Sequence, residues 1–154
     1  LAAAAGLLLR PEAPFLTSTE GDGLLLRFIV LMGGLIVYLV LHELVHGLFI
    51  HLFSGKRAKY GFTGLYAFAG SDAYFSKSRY LVIALAPIVV WGIVLHVLVC
   101  MLPIAWFWPV YCIQIANLGG AAGDLYVTVR FLRLPADILV QDEGVSMTVY
   151  NKKR

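Results

Sequence analysis

Seven consecutive residues in this chain, Leu41-His42-Glu43-Leu44-Val45-His46-Gly47, could do chemistry. On a helix, side chains four positions apart lie one above the other on one face. His42 and His46 would then offer two imidazoles to one zinc ion. Glu43 would stand beside the metal's open position, where a carboxylate can take a proton from water. The surrounding segment strengthens this reading. Leu24 to Phe53 is apolar almost throughout, and a charged residue in such a stretch is costly unless it has a job. The competing account is a polar cluster that only ties helices together, but membrane helices usually use Ser, Thr, Asn or Gln for that.

The chain that must position these residues has 154 residues, of which 60% are hydrophobic and only 14% charged. A soluble domain is nearer half apolar and a quarter charged. The length suits one domain, and the excess of apolar residues indicates a small, mainly α-helical integral membrane protein. The net charge of +3 is modest and clustered, so it reads as membrane topology and not as a nucleic-acid footprint. Neither aromatic-basic alternation nor zinc-finger Cys spacing argues for nucleic acid. Cys100 and Cys112 each lie in an apolar run and read as buried thiols acting as small hydrophobes. They are poorly matched in depth for a disulfide.

The chain begins at Leu1. LAAAAGLLL is too short to span a membrane and lacks a charged leading region, so it reads as the remnant of a longer N-terminus with no targeting signal. Residues 1–23 as a whole read as an N-terminal loop or remnant. Leu24 to Phe53 is the first expected span, long enough to cross about 30 Å of hydrocarbon with tilt. Its Gly33-Gly34 pair allows close helix approach. His51 is not the third ligand of an H-E-x-x-H-x-x-G-x-x-H pattern, because Leu52 holds the His position and Phe49 the Gly position. It reads as an interfacial histidine.

Between Ser54 and Arg79 the pattern changes. Tyr60, Phe62, Tyr66 and Phe68 alternate with small residues, and Gly70-Ser71-Asp72 reads as a turn. A β-hairpin or extended segment is expected over 57–76, near the membrane surface, its aromatics either an interfacial belt or substrate-facing. Tyr80 to Leu102 is the second expected span, kinked by Pro87 and ended by Pro103. Ile104 to Leu134 is the third, with Trp106, Trp108 and Tyr111 at its start. Asn117, Gly119, Gly120, Gly123 and Asp124 lie inside it. Residues 24–134 form the membrane-embedded domain, and 135–154 a polar cytosolic tail with a strand at Val145 to Tyr150. There is no internal repeat.

Positive charge orients the spans. Lys56, Arg57, Lys59, Lys77 and Arg79 lie between the first two spans, and Arg130, Arg133 and Lys152-Lys153-Arg154 follow the third. Three spans put both groups on one side, which the positive-inside rule makes cytosolic. Counted from that side, His46 and His42 are roughly 12–18 Å deep and Asp124 roughly 14 Å, at 1.5 Å per helical residue. His96 is roughly 25 Å deep by the same count. Asp124 is therefore the expected third zinc ligand. Asn117 lies seven residues before it, on about the same face. It could point into the site or simply bond another helix.

LHELVHG, then SDAYFSKSRYLVIALAPIVV, then ANLGGAAGDLY and a short tail with QDEG, resembles the zincin-peptidase family of small bacterial and archaeal membrane proteins, long classed as a domain of unknown function. That family looks like a compact relative of the site-2 proteases, which cleave substrates within the membrane. The resemblance covers about Leu24 to Tyr150. It implies His42, His46 and Asp124 as zinc ligands, Glu43 as catalyst, and a bacterial or archaeal plasma membrane as the location. One departure is visible: Asp124 stands between Gly123 and Leu125 and not in L-D-G, and no Pro separates it from Asn117.

The function expected is a zinc-dependent intramembrane or juxtamembrane peptidase with its active site toward the cytosol. Zinc would activate water, Glu43 would move its proton, and Asn117 would hydrogen-bond the developing oxyanion. The expected partners are the lipid bilayer and a membrane protein or peptide substrate, with no nucleic acid. The alternative is a non-catalytic membrane protein that uses the same zinc site structurally or to regulate a partner. Nothing in the sequence specifies an oligomeric state.

Overall fold

The computed structural model describes residues 10, 13 and 21–151. Most of the N-terminal loop expected over 1–23 therefore lies outside the described residues. The elements in order are α1 (Gly21–Ser54), β1 (Lys59–Phe62), β2 (Ala67–Ser76), α2 (Lys77–Met101), a 3-10 turn (Ile104–Trp106), α3 (Phe107–Gly120), α4 (Ala122–Leu132), β3 (Ile138–Asp142) and β4 (Met147–Asn151). The protein is mostly helical with one small antiparallel sheet. Among the described residues, two helices are long and apolar enough to cross a membrane, Gly23–Ser54 and Lys77–Met101. At 1.5 Å per residue, α1 is about 51 Å long and α2 about 38 Å.

The chain divides into two units. The first comprises Leu1–Tyr38 and Val90–Gly120. In it the early part of α1 meets the late part of α2 and α3 through Tyr38, Leu95 and Ile113, with Leu31, Leu35, Trp91 and Val110 around them. Gly34 makes the approach close. A Cβ on it would lie 2.7 Å from Ile113 Cδ1, so the small residue lets the helices touch. At the start of α3 Phe107 stacks on Tyr111 and Trp108 meets both rings edge to face, and the Trp108 indole donates to the Ala13 carbonyl at 3.2 Å.

The second unit comprises Leu39–Val89 and Ala121–Arg154. Its sheet has the order β1-β2-β3-β4, antiparallel throughout. Burial alternates along β2: Ser71, Ala73 and Phe75 are buried, Asp72 and Tyr74 exposed, as the two-residue period of a strand requires. The inner face adds Ile138 and Val140 from β3 and packs on Ile50 of α1, Tyr80, Ile83 and Ala84 of α2, and Phe131 of α4. Burying side chains such as Phe75 and Val140 contributes about 1.5–3 kcal/mol each. On the outer face Lys59 clasps Asp72 at 2.6 Å, and hydrogen bonds from Lys59 hold the Asp72 carboxyl below its ordinary range. α1 ends at Ser54, and the next residue, Gly55, provides the left-handed cap with a φ of 70° and returns its N–H to the His51 carbonyl.

Four expectations are corrected. The third span over 104–134 is not one helix. It is a 3-10 turn followed by α3 and α4, interrupted at Ala121. Adjacent Gly119 and Gly120 weaken a helix by about 1 kcal/mol each relative to Ala, and the chain breaks just after them. Gly70-Ser71-Asp72 is not a turn but runs through β2, with a register irregularity between Ser71 and Tyr74. The hairpin instead reverses at Thr63 to Tyr66, where Gly64 has φ of 93°. The tail holds two strands where one was expected, since β3 joins β4. Cys100 and Cys112 are free thiols, as their depths suggested, but Cys100 is exposed and not buried.

Candidate metal centre

Tyr38, His42, His46 and Ile50 recur every four residues and are all buried, whereas Leu44, Leu48 and Leu52 are exposed. One stripe of α1 therefore faces the protein interior, as the helical period dictates. His42 and His46 lie on it with their ring centroids 5.0 Å apart. They are only 7% and 9% exposed.

Asp124 reaches the two imidazoles from α4. It lies in the first turn of that helix, where the N-terminal dipole favours a negative charge. The break at Ala121 is what gives Asp124 this terminal position. Its Oδ2 is 3.4 Å from His42 Nε2 and its Oδ1 is 3.5 Å from His46 Nε2. The other ring nitrogen of His46, Nδ1, is 2.9 Å from the Ile83 carbonyl. A carbonyl only accepts, so Nδ1 carries the hydrogen and Nε2 presents its lone pair.

Three potential ligand atoms, one each from His42, His46 and Asp124, lie within 4.8 Å of one another, the one such group among the described residues. The donor set suits zinc. Donors at about 2.0–2.2 Å from a tetrahedral ion would be about 3.3–3.6 Å apart, and the two Asp124 oxygens lie 3.4 and 3.5 Å from the His42 and His46 Nε2 atoms. The hydrogen bond from the second ring nitrogen of His46 to the Ile83 carbonyl is also usual for a ligating histidine.

Glu43, half-buried, faces this cluster, and its carboxylate is within reach of the Ala69 backbone amide in β2. Tyr60 of β1 presses on the same stretch of α1: a Cβ on Gly47 would fall 1.8 Å from the Tyr60 hydroxyl. Gly47, the last residue of the motif, thus admits the hairpin against the helix.

The other candidates have contacts of their own. Asn117 is fully buried in the first unit, and its Oδ1 accepts the Tyr38 hydroxyl at 3.0 Å. His51 is exposed, and its Nδ1 donates to the Lys56 carbonyl at 3.1 Å. His96 belongs to the first unit and is 4.0 Å from Cys100 Sγ. Sequence reasoning missed the Ala69 amide and the Ile83 carbonyl, because a backbone group has no residue type to signal it. It also missed Asp142, which accepts the Tyr80 hydroxyl with one oxygen and the Gly144 N–H at 2.8 Å with the other. Asp142 thereby ties the tail hairpin to α2.

A helix carrying paired histidines and an adjacent glutamate, with a third donor from a distant helix, defines the metallopeptidase class. The family model described as putative zincin peptidase matches residues 35–139, more than half of the chain. The chain belongs to that family, and zinc is its implied metal. No curated protein matches the chain, and no solved structure does.

Proposed function

We propose that this protein is a zinc-dependent intramembrane or juxtamembrane peptidase that hydrolyses peptide bonds of membrane-associated substrates. The observation that carries the reading is the meeting of His42, His46 and Asp124 from two helices beside the Glu43 carboxylate. The two Nε2 atoms and one Asp124 oxygen would hold the metal. Bound there, zinc supplies a Lewis acid for the scissile carbonyl and makes water acidic enough to attack near neutral pH. Glu43 accepts the water's proton on its carboxylate and delivers it to the leaving amine. β1 is an edge strand whose Tyr60 rests on the motif helix. An extended substrate pairing with that edge would be held near Glu43.

Structural zinc sites are usually closed and rich in Cys. Three protein donors with a carboxylate alongside favour catalysis over the non-catalytic zinc-binding alternative. The test is metal analysis of the purified chain together with cleavage of a co-expressed library of single-span substrates. The expected result is about one zinc per chain, cleavage lost on chelation and cleavage restored by zinc. A protein with full zinc that cleaves nothing in the library would favour the alternative.

The exposed apolar side chains of α1, among them Phe28, Ile36, Leu44 and Leu52, support insertion in the bilayer, since such a surface is unfavourable in water. Lys77 donates to the carbonyls of Leu132 and Leu134. That contact joins the start of α2, which carries Arg79, to the end of α4, which carries Arg130 and leads into Arg133. These ends are expected to be cytosolic. A cysteine at position 59 should therefore react with an impermeant thiol reagent only from the cytosolic side, and one at position 103 only from outside. The reverse pattern would overturn the orientation.

A further inference from the structure

Pro87 lies inside α2 and is fully buried. In an uninterrupted α-helix the N–H of residue 87 would donate to the carbonyl of residue 83. Proline has no N–H, and its ring crowds that same carbonyl. The Ile83 carbonyl thus loses its helical partner within the core of the second unit, where Ile83 is 4% exposed. A buried carbonyl left without a donor is costly. The group that comes to it is His46 Nδ1, at 2.9 Å.

We infer that Pro87 is a positioning residue for His46: by withholding an N–H, it reserves the Ile83 carbonyl for the imidazole. The bond commits Nδ1 as the donor and restrains rotation of the ring. Nε2 is thereby left with its lone pair, 3.5 Å from Asp124 Oδ1. Orientation of a ligating histidine through its second nitrogen is a general device of metal sites. Here the acceptor is created by an imino acid four residues further along the partner helix. The inference rests on the metal-site reading above. A proline that only bends α2 would leave the tautomer and metal affinity indifferent to the missing N–H.

Two variants of the full chain separate these possibilities. Pro87→Ala supplies an N–H that competes for the Ile83 carbonyl. Replacing residue 87 by lactic acid removes the ring but leaves an ester oxygen in place of the amide N–H. The readouts are the zinc dissociation constant, by chelator competition, and the ring 15N shifts of His46 in metal-free protein. Pro87→Ala is expected to weaken zinc binding by about 10–100-fold, the usual loss for an outer partner of a ligand. His46 should then populate both tautomers. The lactic-acid variant should recover the zinc affinity and the single Nδ1–H tautomer. If Pro87→Ala matches the wild type in both readouts, or the lactic-acid variant behaves like Pro87→Ala, the inference fails. Should Pro87→Ala not fold, the lactic-acid variant decides alone: a single Nδ1–H tautomer supports the role, and its loss overturns it. A wild-type chain that binds no zinc would overturn the proposed function instead, and the tautomer readout would still judge Pro87.

Discussion

Glu43→Gln is expected to cut turnover by orders of magnitude while leaving the metal in place. Gln keeps the shape and hydrogen-bonding reach of Glu but cannot accept a proton as a carboxylate does. The ligand atoms come from His42, His46 and Asp124, so the substitution removes no metal donor. The Glu43 carboxylate is within reach of the Ala69 amide, and the Gln carbonyl oxygen can face the same amide. Fold and zinc content should therefore match the wild type. Turnover should fall by about 10²–10⁴, the usual contribution of a general base, which is roughly 3–5 kcal/mol of barrier. The measurement is single-substrate kinetics beside metal analysis on the same preparations. The zinc-holding alternative expects the opposite, a Glu43→Gln protein with normal biological output. Full zinc together with wild-type output in cells would count directly against catalysis.

Asp124→Asn carries the second large effect, and it falls on the metal. Asp124 is the one anionic member of the donor group and faces both imidazoles, at 3.4 and 3.5 Å. An amide oxygen in its place is a weaker, neutral donor, and its NH2 would turn a hydrogen toward one of the two histidines. The zinc dissociation constant should rise by more than the roughly 100-fold upper range for losing an outer partner. His51→Ala and His96→Ala should leave it within a few-fold of the wild type. His51 is an exposed group bonded to the Lys56 carbonyl, and His96 is no member of the donor cluster. If His96→Ala strips the zinc and Asp124→Asn retains it, the donor set is wrong.

The parts of this protein that depend on local periodicity and residue chemistry are legible in its residues alone. A run of apolar residues from Leu24 to Phe53 can only be a long helix, and α1 is Gly21–Ser54. On that helix, spacing alone puts His42 and His46 on one face with Glu43 beside them. The second long apolar run and the alternating aromatics after Ser54 were legible for the same reason, as α2 and as β1 and β2. Matching depths along helices also singled out Asp124, because helical rise converts residue counts into distance.

Other features depend on partners far away in the chain. Gly70 reads locally as a turn residue, yet it lies in β2 because the backbone of Glu143 crosses it: a Cβ there would be 2.3 Å from the Glu143 carbonyl carbon. β3 is five residues whose pairing partner, β2, lies more than sixty positions earlier, so no local pattern announces it. The glycines before Asp124 were expected inside one continuous span. Folding resolves them as a break at Ala121, which places the carboxylate in the first turn of a new helix and turns it toward two histidines about eighty residues distant. The hydrogen bond that orients His46 goes to a main-chain carbonyl, and main-chain atoms are identical at every position. Only the packing of α1 against α2 could choose Ile83.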